Sequence, residues 1–167
     1  MSGPPVIVGQ DKSKEFRVNP RLGWTAVRVL ALLFLCIGIA DITLAFYPPQ
    51  FQNPTWVFGV LGGAIGGLPV LSLGLTGGVI AGLTLRARGW AAFMGILNLL
   101  LALLILVGLY FFFQTVEEAR RAAPVGMQLG ISRTIVRTYL LGGLFLLLHA
   151  VSGVIAMRGS VSGESHT

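Results

Sequence analysis

The chain has 167 residues, of which 54% are hydrophobic and only 11% charged, and its mean hydropathy is +0.83. Average soluble domains are about 25% charged, and a chain this short buries too small a share of its surface to hide so much apolar area in water. The net charge of +6 does not read as a nucleic-acid footprint, because the twelve Lys and Arg lie between or beside apolar runs with no aromatic-interleaved basic patch; it suits membrane topology and anionic lipid.

Residues 1–23 read as a flexible cytoplasmic tail, with Pro4, Pro5, Lys12, Lys14, Arg17 and Arg21 and no apolar signal core. The first span is expected over about 24–47. Trp24 anchors it at an interface, and Arg28 snorkels back toward the headgroups. It carries the lone cysteine, Cys36, which has no partner for an internal disulfide, and Asp41 in its outer half. Pro48 and Pro49 end it, and the loop to Pro54 is uncharged.

The next apolar stretch, Trp56 to Leu85, is longer than the ~20 residues a ~30 Å hydrocarbon core requires. The preferred reading divides it at Pro69. A short interfacial or re-entrant helix over about 55–66 then precedes a true span over about 68–85, with Pro69 in its first turn, where the missing N–H costs little. The alternative is one long, tilted helix kinked at Pro69. Glycines crowd this stretch, and Gly74, Gly78 and Gly82 recur every four residues, so they share a helix face that lets another helix approach closely. A phosphate-cradling loop needs a strand–loop–helix context that is absent here.

Arg86 and Arg88 form a tight turn with Gly89. The third span is expected over about 90–113 and ends in the aromatic belt Tyr110 to Phe113. An extramembrane segment over 114–136 follows, with Glu117 and Arg121 at a helix-supporting spacing and Pro124 as an interruption. The last span covers about 137–157, and 159–167 reads as a disordered tail. The expected fold class is therefore all-α, with four transmembrane helices in one domain over 24–158. Eight Lys and Arg lie on the side of the termini and four on the other, which places both termini in the cytoplasm of a bacterial-type inner or intracytoplasmic membrane.

Three polar residues inside the spans stand out: Asp41, Asn98 and His149. An intramembrane ionisable group is a functional candidate by default. His149 has three readings: a hydrogen bond to a neighbouring helix, with Asn98 at nearly the same depth as first partner; a ligand to a haem or chlorophyll-type pigment; or a proton relay. The only other histidine is His166 in the tail, so bis-histidine haem within one chain is excluded. Asp41 has Ser72 and Thr76 as helpers for a pathway, and Arg137 as a salt-bridge partner that stands a turn or two too far out. HExxH, Walker A, GxSxG and CxxC patterns are absent. One Cys and two His cannot assemble a metal cluster, and no catalytic residue is assigned.

The stretch FYPPQFQNPTWVFGVLGGAIGGLPVLSLGL combines a Pro-rich loop, an Asn-Pro-x-Trp and a Pro that opens a span. Further on, MQLGISRTIVRTYLLGGLFLLLH runs from a basic amphipathic lead into the last helix. Over about residues 24–150 the chain resembles the small four-helix membrane proteins of the HpsJ type, named for hormogonium polysaccharide secretion in cyanobacteria. It departs from them in its glycine-rich segment, where more polar residues are expected. The resemblance supplies no catalytic residues and implies an accessory membrane role. The functional expectation is a non-enzymatic accessory or scaffold subunit that meets lipids and other membrane subunits and no nucleic acid. The alternatives are a cofactor- or pigment-binding subunit with His149 as ligand, and a small transporter or channel.

Overall fold

A computed structural model describes residues 20–50 and 52–161. Four helices follow in chain order: α1 Pro20–Ala45, α2 Pro54–Thr84, α3 Arg88–Ala122 and α4 Gln128–Val161, with a 3₁₀ turn at Val125–Met127 before the last. All four are long and apolar enough to cross a membrane, and no strand occurs among the described residues. The fold is an all-α, four-helix, multi-pass membrane architecture. Helix α1 is shifted toward the N-terminus of its expected span, from Pro20 to Ala45, and α4 begins well before its expected span, at Gln128, and runs on to Val161, into the expected tail. The tail residues Lys12, Lys14, Arg17 and His166 lie outside the described residues.

The division expected at Pro69 does not occur. Helix α2 is continuous for 31 residues, with Pro69 inside it. An interruption at membrane depth would free several backbone groups, whereas a proline within a spanning helix removes one N–H, and neighbouring groups tolerate that loss. The start of α2 is fixed by Asn53, whose Oδ1 accepts from the N–H groups of Thr55 at 3.1 Å and Trp56 at 3.3 Å. The Asn-Pro-x-Trp of the sequence is thus a helix N-cap. The α2–α3 turn closes with Ala87 N–H on the Gly82 carbonyl and Arg86 N–H on that of Leu83, while Arg86 takes a positive φ of 53°. This is a Schellman ending in which an arginine occupies the left-handed position where glycine is usual.

Helix α2 is the hub: it packs against α1, α3 and α4, while α1 has no backbone-level approach to α3 or α4. Two aromatic groups mark the membrane interfaces. At the end near the termini, Trp24 and Trp90 meet edge to face at 6.1 Å, and the Arg28 guanidinium lies over Trp24 at 4.2 Å. At the loop end stand exposed Tyr47, Tyr110 and Phe111. Trp90 to Tyr110 is ~30 Å of helix, one hydrocarbon thickness. Helix α3 therefore runs on past the interface instead of stopping at Phe113. With the starts of α2 and α4 it forms a small second core of Phe58, Phe112, Ala119 and Ile135. Phe112 leaves the expected belt: it is fully buried, stacked on Phe58 at 4.9 Å.

Candidate functional site: a buried polar circuit and an apolar cavity

Three helices bring three polar side chains together in the middle of the bundle. His149 on α4 and Asn98 on α3 are both 0% exposed, and Ser72 on α2 is also buried. His149 Nδ1 is 2.6 Å from Asn98 Oδ1, and His149 Nε2 is 2.8 Å from Ser72 Oγ. Asn98 Nδ2 donates to the Met94 carbonyl at 2.8 Å.

These contacts fix the direction of every proton. The amide nitrogen of Asn98 is spent on Met94, so its oxygen accepts, and Nδ1–H of His149 must donate. In a neutral imidazole the other nitrogen then accepts, and Ser72 O–H donates to Nε2. The circuit runs Ser72 → His149 → Asn98 → Met94 carbonyl and engages both imidazole nitrogens, while the amide of Asn98 keeps a second N–H. His149 is also stacked against Phe145, with ring centroids 6.5 Å apart. Sequence reasoning pairs His149 with Asn98 because their depths agree. It assigns Ser72 to Asp41 instead, because Ser72's place on the α4-facing side of α2 depends on how the helices pack.

Asp41 takes no part. It is exposed on α1, beside Gly67, with no hydrogen bond or ion pair among the described residues. Arg137 forms no ion pair with it, and α1 and α4 make no backbone-level approach. Thr76, one turn beyond Ser72, has its hydroxyl buried without a partner among the described residues. No group of three or more His, Cys, Asp or Glu that could hold a metal occurs among the described residues.

The glycine face of α2 is shared between two neighbours. A Cβ at Gly74 would stand 2.8 Å from the Ala31 carbonyl oxygen on α1, whereas one at Gly82 would meet the Ala91 backbone at 3.0 Å and one at Gly78 the Met94 sulfur at 3.0 Å, both on α3. Residues four apart drift by ~40° around a 3.6-residue helix, enough to carry the stripe across the groove between α1 and α3. Close approaches also occur outside this stripe, among them Gly38 against Leu71, Gly95 against Ala156, Gly153 against Leu99 and Gly142 against Leu109. By contrast, Gly59, Gly63, Gly66 and Gly77 of α2 have nothing within 4 Å of a Cβ.

Toward the loop end, where α1 and α3 flank α2, lies an apolar cavity of about 310 Å³, lined by Ile42, Ile65, Leu68, Ile105, Gly108 and Thr138 among others. No protein-family model matches this chain, and no curated protein and no solved structure matches it either.

Proposed function

We propose that this protein is a non-enzymatic accessory or scaffold subunit of a larger membrane assembly, acting through helix–helix and lipid contacts. The observation that carries this reading is the closed polar circuit. Its hydrogen bonds join α2, α3 and α4 and engage both ring nitrogens of His149. To ligate a haem or pigment, His149 would first have to give up Ser72 or Asn98. Within the apolar part of its helices, the chain presents outward apolar surface, the open glycines of α2 and the carboxylate of Asp41. A carboxylate within an apolar span favours a neighbouring donor, and small residues let another helix come close. The HpsJ-type resemblance fits the same role. The proposed setting is a bacterial-type inner membrane with both termini cytoplasmic, from the basic residues on their side.

Gentle solubilisation followed by sizing and identification of co-purifying proteins tests the reading. Stable partner subunits are expected, and Asp41→Leu or Gly66→Leu should release them while leaving the monomer folded. A lone monomer or simple homodimer in several mild detergents would contradict it and favour a transporter.

A further inference from the structure

The loop-end cavity has a feature that plain lipid-facing surface lacks. Thr138 on α4 is 2% exposed and lines it, and its hydroxyl has no hydrogen-bond partner among the described residues. An unpaired hydroxyl beside an otherwise apolar lining is unfavourable. All other residues around the cavity are uncharged and their side chains apolar. At about 310 Å³ the space is roughly twice that of an engineered ~150 Å³ apolar cavity that takes up benzene.

Its position selects the occupant. Thr138 lies at the level of Phe112, close to the interface marked by Tyr110 and Tyr47, and from there the lining runs inward past Ile65 and Ile105 to Leu68 and Leu101. A ligand that fits has a hydrogen-bond acceptor at the interface and an apolar chain that runs toward the midplane. We propose that this cavity binds one acyl chain of a glycerophospholipid from the loop-side leaflet, with the chain's ester carbonyl accepting from Thr138 Oγ1–H. A free fatty acid would bring a carboxylate against a lining that holds no cation. The proposal deepens the lipid half of the accessory reading and does not need its protein half.

Gly108 supplies a clean probe. It lines the cavity, and a Cβ there would meet nothing within 4 Å, so a larger side chain can be placed at the cavity wall without forcing the backbone. Gly77 is equally open and does not line the cavity, which makes it the control. The purified full chain in mild detergent is titrated with dioleoylphosphatidylglycerol, oleic acid or decylubiquinone, and adducts are counted by native mass spectrometry.

The expected result is a saturable one-to-one phospholipid adduct. Gly108→Phe should weaken it at least ~10-fold by occupying the space, Gly77→Phe should leave it unchanged, and Thr138→Val should weaken it roughly 3- to 10-fold, the net worth of one hydrogen bond. Equal adducts in wild type and Gly108→Phe, tighter binding of oleic acid or the quinone, or no adduct would each overturn the proposal. Circular dichroism and detergent melting of each variant separate lost binding from lost fold. Partner subunits are read by co-purification, so failure of the accessory reading leaves a different signature from failure of this site.

Discussion

The two ends of the bundle are packed by different means. Toward the termini, small residues bring backbones into contact: Gly38 and Gly74 join α1 to α2, Gly82 joins α2 to α3, and Gly95 meets Ala156 between α3 and α4. The result is a dense core around Leu71, Leu75, Val79 and Met94, with the polar circuit against it. Toward the loops, large rings do the packing. Phe112 stacks on Phe58 and meets Tyr139 edge to face at 5.6 Å, and beside these rings the bundle opens into the cavity. Lipid tails are as apolar as leucine, so no hydrophobic force squeezes helices together, and close approach depends on side chains small enough to permit it. Where rings set the spacing, room is left for a ligand.

The same substitution should therefore have opposite outcomes at the two ends. Gly74→Leu places its Cβ against the Ala31 carbonyl and the Leu35 N–H, both backbone groups that cannot step aside. Its cost should exceed the ~1–3 kcal/mol of ordinary overpacking, with loss of folded protein in SDS-unfolding assays. If Gly74→Leu folds as well as Gly108→Leu, the distinction between the two ends fails.

Phe112→Ala sharpens the contrast from the other side. Removing a fully buried ring beside an existing cavity should cost about 3–5 kcal/mol, read in the same assay. A much smaller cost would show that the loop-end core does not hold the helix extensions together.

His149→Leu should cost about 1–3 kcal/mol by stranding Asn98 Oδ1 and Ser72 Oγ. His149→Gln should cost less, because an amide can still bond one of them. Equal costs would mean that the hydrogen bonds contribute nothing beyond filling space.

Gly78→Ala is the mildest. Its Cβ meets the flexible Met94 side chain rather than backbone, so the change should stay under ~1 kcal/mol, offset in part by the helix preference of alanine. A cost equal to that of Gly74→Leu would refute the idea that backbone contact decides the outcome.

Much of the fold is legible in the sequence because the bilayer imposes length and hydropathy directly. Trp24, Tyr47, Trp90 and Tyr110 mark the interfaces where the helices cross them. The continuous α2 is less legible, because proline reads as a breaker in water while a membrane penalises the break more than the proline. Phe112 reads as one of a row of belt aromatics, and only the extension of α3 beyond the interface makes it a core residue. For the candidate site, depth along the helices is enough to pair His149 with Asn98. Ser72 and Thr138 depend on rotation about the helix axes, which the near-uniform hydrophobicity of α2 and α4 leaves unmarked. The cavity is a property of the packing between helices and has no sequence signal.

The central claim is that Ser72, Asn98 and His149 are tied together to join α2, α3 and α4. A double-mutant cycle tests it most directly, with His149→Leu and Asn98→Leu made singly and together and unfolding measured in SDS. The double variant is expected to cost about as much as one single, a coupling of about 1 kcal/mol or more, toward the upper end for polar contacts between spanning helices. Additive costs would mean that His149 and Asn98 act independently, and would contradict it.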